Sequence, residues 1–139
     1  MSPDDKQQNR SRIILAVDDA PENLNVLKAF LNAQGYTFFG VTNGPESLQF
    51  VLRVRPRLIL LDIVMPGLDG FETCRRLRAI QELNDVPIIF LTTQKTRDDV
   101  RTGMQAGGND FVIKPFEYGH LLKRIEHWMS RRAPARGGP

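Results

Sequence analysis

The chain has 139 residues, 41% of them hydrophobic and 25% charged, enough for one domain with a sizeable core and too few for two. No apolar run approaches the ~20 residues of a membrane span, and the opening MSPDDKQQNR lacks the apolar centre of a signal peptide, so a cytoplasmic location is expected. The formal net charge is +3, and Arg131, Arg132 and Arg136 account for all of it, which leaves little support for direct nucleic-acid binding.

Residues 1–11 are polar and are expected to form a flexible N-terminus. Ile13 to Val17 (IILAV) reads as a strand buried on both faces and ends in the acidic pair Asp18 and Asp19. Pro21 suits the first helical position after a cap at Asp19 or Ala20, and Leu24, Leu27 and Leu31 recur at helical spacing up to Gly35. Tyr36 to Val41 is a second strand, closed by the turn signal Asn43-Gly44, and Pro45 opens a short helix through Leu48, Val51 and Leu52.

Leu58 to Asp62 (LILLD) is a third strand, apolar until its last residue, followed by the turn-rich MPGLDG. Phe71, Cys74, Leu77 and Ile80 or Gln81 mark the next helix. The lone Cys74 excludes an internal disulfide, fits a reducing compartment and is most simply a buried small hydrophobe. Val86 to Leu91 makes a fourth strand ending in Thr92 and Thr93. The helix after it, about Arg97 to Ala106, is polar, with Val100 and Met104 as its expected apolar anchors. By burial it should be the least firmly held. Asp110 to Ile113 is the fifth strand and ends in Lys114-Pro115. The last helix carries the clearest stripe, Leu121, Leu122, Ile125, Trp128 and Met129. Residues 131–139 read as a basic linker or appended tail.

Five strand-helix alternations predict a parallel sheet with helices on both faces, a doubly wound three-layer α/β sandwich. In such a sheet the carboxyl ends of the strands share one edge, so Asp18, Asp19, Asp62, Thr92 and Lys114 should form one cluster. At an effective dielectric near 20, two like charges ~4 Å apart cost roughly 4 kcal/mol. Positive charge is therefore needed among the carboxylates. Lys114 supplies one, and an all-oxygen acidic pocket is what Mg²⁺ prefers, bound by few protein groups and several waters.

The acidic pair of AVDDAPEN, the LLDIVMPGLDG loop, the Thr closing PIIFLTT and the Lys-Pro of DFVIKPF stand at the right places after their strands. With these four motifs in register, the chain from Arg12 to Ser130 resembles a response-regulator receiver domain of bacterial two-component signalling. The resemblance implies a flavodoxin-like sheet in the order 2-1-3-4-5 with five helices. It implies that Asp62 is the phosphoacceptor, taking a phosphoryl group from a histidine kinase or phosphotransfer protein. It places Mg²⁺ on Asp19, Asp62, the backbone carbonyl of Val64 and, directly or through water, Asp18. Lys114 would pair with a phosphoryl oxygen, Thr92 and Phe111 would form the switch, and the Lys114-Pro115 bond would be cis. The face built by the fourth helix, fifth strand and fifth helix would then change and control an output domain or partner, with a homodimer as one arrangement open to it.

Catalysis in this reading is self-phosphotransfer and slow autodephosphorylation rather than conventional turnover. Val64, two residues past the acceptor, cannot orient a hydrolytic water, Gln94 could do so weakly through its amide, and Thr93 adds bulk beside the phosphoryl path, so a long phosphorylated lifetime is expected. The rival reading is a constitutive, non-phosphorylated protein-interaction module. A hydrolytic phosphatase would want an acid where Val64 stands. An FMN carrier would want a Gly/Ser/Thr loop in place of Asp18, Asp19 and Glu22. His120 and His127 share one side of the last helix, where solvated residues are the simplest reading.

Overall fold

The computed structural model describes residues 12–93 and 96–131, so Arg132 and Arg136, and the expectations placed on residues 1–11 and on Gln94, lie outside the described residues. Among the described residues five parallel strands form one sheet in the order 2-1-3-4-5: β1 (Ile13–Val17), β2 (Thr37–Val41), β3 (Leu58–Leu61), β4 (Ile88–Thr92) and β5 (Asp110–Ile113). Five helices alternate with them: α1 (Pro21–Ala33), α2 (Gly44–Arg53), α3 (Gly70–Arg78), α4 (Arg97–Ala106) and α5 (Tyr118–Ser130), with a 3₁₀ turn at Gln81–Leu83. No helix of the described residues is long and apolar enough to cross a membrane.

The alternation of side chains along each strand divides the core in two. Leu15, Val17, Ile59, Leu61, Ile88 and Phe90 face α2, α3 and α4, where they meet Val51, Cys74, Leu77 and Ala106. Ile14, Ala16, Leu58, Leu60, Ile89, Leu91 and Val112 face the other way, onto Leu24, Leu27 and Leu31 of α1 and Leu121 and Ile125 of α5. The residues of β3 are at most 1% exposed, and burying an aliphatic side chain of this size contributes about 1.5–3 kcal/mol. Such a strand has no solvated face, which is why its sequence is a continuous apolar run.

Several boundaries differ from the sequence reading for local reasons. The Asn43-Gly44 pair is a helix start rather than a turn: Asn43 is extended and its side chain accepts the amide of Glu46 at 2.8 Å, so α2 begins one residue before Pro45. Helix α1 is capped by Ala20 without a side-chain bond. Strand β4 starts at Ile88, because the amide of Val86 goes to Leu83 O and Pro87 has none to give. Helix α3 is capped by Asp69, which accepts the Glu72 amide at 2.9 Å, and stops at Arg78 before the 3₁₀ turn.

The larger correction concerns α4. Val100 is half-buried and Met104 is 44% exposed, so neither anchors the helix. It seats instead through Gly103 and Ala106. A glycine lets helix and sheet approach more closely than a large side chain allows, which apolar spacing alone does not reveal. On the opposite face of the sheet, Asp110 Oδ2 accepts from Arg124 Nε at 2.6 Å and from Trp128 Nε1 at 2.8 Å, tying β5 to α5.

Candidate functional site

Each strand of the site delivers its polar residue where the backbone ladder runs out. The Asp62 amide bonds Val17 O at 3.0 Å, the Asp18 amide bonds Val41 O at 3.1 Å, and the Lys114 amide bonds Thr92 O at 2.9 Å. These bonds lock the first residue after each strand to its neighbour, so the side chains emerge at one edge of the sheet. Asp18, Asp19 and Asp62 each offer a carboxylate oxygen within 4.8 Å of the others. Asp18 and Asp62 are buried, Asp19 is exposed, and Thr92 is buried at the end of β4.

Among the described residues Lys114 brings positive charge to the cluster. Its Nζ lies 3.0 Å from Asp18 Oδ2 and 3.7 Å from Asp62 Oδ2. Asp18 is further held by the Ala20 amide at 2.9 Å and by Asn23 Nδ2 at 3.3 Å. Its carboxylate thus has three protein donors, whereas Asp62 is less completely compensated. Burial pushes the Asp62 carboxyl above its ordinary range, Lys114 draws it back, Asp18 pushes it up again, and the amides of Val64 and Ile63 favour the ionised form. The Val64 amide donates to Asp62 Oδ1 at 3.3 Å. A buried carboxylate short of positive charge, beside an exposed one, is a donor set suited to a hard divalent cation.

Two contributors escaped the sequence reading. Asn23 lies within AVDDAPEN, and its place on the first turn of α1, five residues after Asp18, was the available signal. Gly70 is the second. Its amide bonds Ile63 O at 2.9 Å, and a Cβ there would lie 2.2 Å from the Asp62 carbonyl oxygen and 2.6 Å from Ile63 Cα. The start of α3 therefore rests directly on the backbone that carries Asp62, and only glycine permits it. The turn-rich MPGLDG loop pointed to a bend but not to this contact.

Phe111 is half-buried on β5, beside Phe90 with ring centroids 5.0 Å apart. The Lys114-Pro115 peptide bond is cis. Val64 and Thr93 are both exposed. Cys74 is fully buried within the core. His120 and His127 are exposed, and among the described residues neither belongs to a group of three possible metal ligands.

The family model described as the response regulator receiver domain matches residues 14–126. The response regulator MprA of Mycobacterium leprae is 39% identical over 121 residues, which are 87% of this chain and 52% of that protein. The response regulator PleD of Caulobacter vibrioides is 37% identical over 112 residues, 81% of this chain and 25% of that protein. The chain thus spans between a quarter and about half the length of these relatives. Among solved structures, the receiver domain of the sensor histidine kinase PA1611 from Pseudomonas aeruginosa superimposes with a TM-score of 0.80 at 35% identity, covering 86% of this chain and 98% of that one, and it holds a magnesium ion in its active site cleft. The chemotaxis protein CheY4 of Vibrio cholerae gives a TM-score of 0.80 at 29% identity, covering 83% of this chain and 96% of that one.

Proposed function

Because this chain belongs to the response regulator receiver domain family, we propose that it is a phosphorylation-dependent switch whose receiver domain occupies residues 12–130 and whose acceptor is Asp62. The observation that carries the reading is the placement of Lys114 between two buried carboxylates, 3.0 Å from Asp18 and 3.7 Å from Asp62. Asp62 is the one short of hydrogen-bond donors and so the one with a carboxylate oxygen to spend on phosphorus.

In the transfer, an Asp62 oxygen bonds to the phosphorus of a phosphohistidine on a kinase or phosphotransfer protein. The P–N bond breaks, and its electron pair stays on the imidazole nitrogen, which takes up a proton. Lys114 pairs with a phosphoryl oxygen, and burial keeps that pairing strong, so the protein acts mainly by position and charge. Mg²⁺, held by Asp19, Asp62 and the Val64 carbonyl, would neutralise phosphoryl charge when bound. The three donors already on Asp18 favour its acting on the ion through water.

Thr92 is buried at the same edge, and its hydroxyl would donate to a phosphoryl oxygen once Asp62 is modified. The contact exists only in the phosphorylated protein, so it biases the two-state equilibrium toward the form in which Thr92 has moved. Phe111 then follows, and the face of α4, β5 and α5 presents a changed surface to an output domain, a separate partner or a second copy. A cytoplasmic setting is consistent with this reading.

Mass spectrometry after incubation with acetyl phosphate and Mg²⁺ tests the assignment. A phosphoryl adduct that requires Mg²⁺ and is lost in Asp62→Asn is expected. Absence of an adduct in the wild type, with no Mg²⁺-dependent response to beryllofluoride, would refute the switch and favour a constitutive protein-binding module.

A further inference from the structure

Phe90 and Phe111 are direct register partners on β4 and β5, so their side chains leave the sheet on the same face. Phe90 is fully buried, wedged edge-on to Phe71 at 5.7 Å and tilted against Phe111 at 5.0 Å. Thr92 lies two residues beyond Phe90 and shares that face. A Phe111 ring that follows Thr92 therefore travels across the Phe90 ring.

The roof over this pair is α4, and it is made of missing side chains. A Cβ on Gly103 would lie 2.6 Å from Phe111 Cζ and 3.0 Å from Phe90 Cε2. A Cβ on Gly108, just past the helix, would lie 2.4 Å from Phe90 Cε2. Real Cβ atoms do not approach aromatic carbons so closely, so an added methyl must displace something. Phe90 is enclosed on every side, whereas Phe111 sits half-buried on the edge strand with solvent open to it. At Gly103 the ring that yields is Phe111, whereas at Gly108 the methyl would press on Phe90 itself.

We infer that Phe90, Gly103 and Gly108 are positioning residues for the switch: the Phe90 ring is the floor on which Phe111 turns, and Gly103 is the gap in α4 that admits the inward ring. The inference rests on the phosphorylation reading above and adds a size-matched set to it. Two glycines without Cβ are the counterpart of one large ring at position 90. The inward ring and the phosphorylated form lie at the same end of one two-state equilibrium, so closing the gap lowers the fraction of competent molecules before transfer and slows phosphorylation without touching Asp62, Lys114 or Thr92.

The test uses the whole chain in four versions: wild type, Gly103→Ala, Phe90→Leu, and Phe90→Leu with Gly103→Ala. The initial rate of Asp62 phosphorylation by acetyl phosphate with Mg²⁺ is read by mass spectrometry, and ring contacts of Phe111 are read by nuclear Overhauser effects in the resting protein. Gly103→Ala is expected to phosphorylate about fivefold more slowly, a modest allosteric coupling, and to lose the Phe90–Phe111 ring contact. The double variant should recover to within about twofold of wild type, because leucine at position 90 leaves room for the Phe111 ring to move off the new methyl and stay inside. A Gly103→Ala protein that phosphorylates at the wild-type rate, or a double variant no faster than it, overturns the inference. Should Gly103→Ala alone fail to fold, a double variant that folds supports the size match and one that does not overturns it. A wild type that accepts no phosphoryl group refutes the switch itself, and the seat is then decided by whether Gly103→Ala keeps the ring contact, which would overturn it.

Discussion

Replacing Asp62 by asparagine should stabilise the metal-free protein at neutral pH. At an effective dielectric near 20, the Lys114 ammonium 3.7 Å away attracts the Asp62 carboxylate by about 4.5 kcal/mol. The Asp18 carboxylate, within 4.8 Å, repels it by about 3.5 kcal/mol or more. The two nearly cancel, which leaves the cost of holding a charge that is only 8% exposed, and that cost reaches several kcal/mol for a buried ion. Asparagine keeps the shape and removes the charge. A net gain on the order of 1–2 kcal/mol follows, or about 3–8 °C in Tm for a domain of this size.

The pH dependence fixes the sign. The folded-state pKa of Asp62 is raised above its ordinary 3.8, first by burial. The folded protein then holds the proton more tightly than the unfolded chain, and stability is lost as pH rises from the ordinary value through the raised one. The advantage of Asp62→Asn is therefore full at neutral pH and shrinks toward zero as the pH falls to about 3.8 and below. Thermal unfolding followed by circular dichroism in chelator across this range measures it, and adding Mg²⁺ should raise the wild type more than the variant. An Asp62→Asn protein less stable than wild type at neutral pH without metal, or a difference that does not shrink with acid, would refute the balance described.

Three further outcomes follow from the same geometry. Lys114→Met leaves the buried Asp18 carboxylate with the Ala20 amide and Asn23 as its donors, so it should cost about 2–3 kcal/mol in denaturant unfolding and abolish most of the acetyl phosphate adduct. Gly70→Ala places a methyl 2.2 Å from the Asp62 carbonyl oxygen, and overpacking of this kind should cost about 1–3 kcal/mol, slow phosphorylation and weaken Mg²⁺ binding in a fluorescence titration. Val64→Asn and Thr93→Ala, both at exposed positions, should shorten the phosphorylated lifetime in a hydrolysis time course while leaving the unfolding free energy within about 0.5 kcal/mol of wild type. Unchanged hydrolysis would show that these side chains do not guard the phosphoryl group.

The strands were legible because a parallel sheet covered on both faces writes itself as unbroken apolar runs, as at Ile13 to Val17 and Leu58 to Leu61. The polar residues that close those runs were legible for the same reason, since each breaks a pattern where the core ends. Asn43 was misread because one residue type serves both as a turn former and as a helix cap, and only the backbone direction distinguishes them. The seat of α4 and the role of Gly70 were not legible at all. Both depend on side chains that are absent, and hydrophobic periodicity records only side chains that are present. Asn23 was within sight but silent, because a hydrogen bond between the first turn of a helix and the preceding strand leaves no periodic trace.

The clasp between Trp128 and Asp110 gives the protein an optical gauge of its own. The chain has one tryptophan, and its indole N–H is held 2.8 Å from a carboxylate on the strand that carries Phe111. Indole emission responds to nearby charge and to the wetness of its surroundings. Any shift of β5 against α5 that lengthens this bond should change the colour and yield of the fluorescence, with no label attached. A movement of this side of the domain in the proposed switch would thus be read directly by light, and its timescale by stopped-flow mixing.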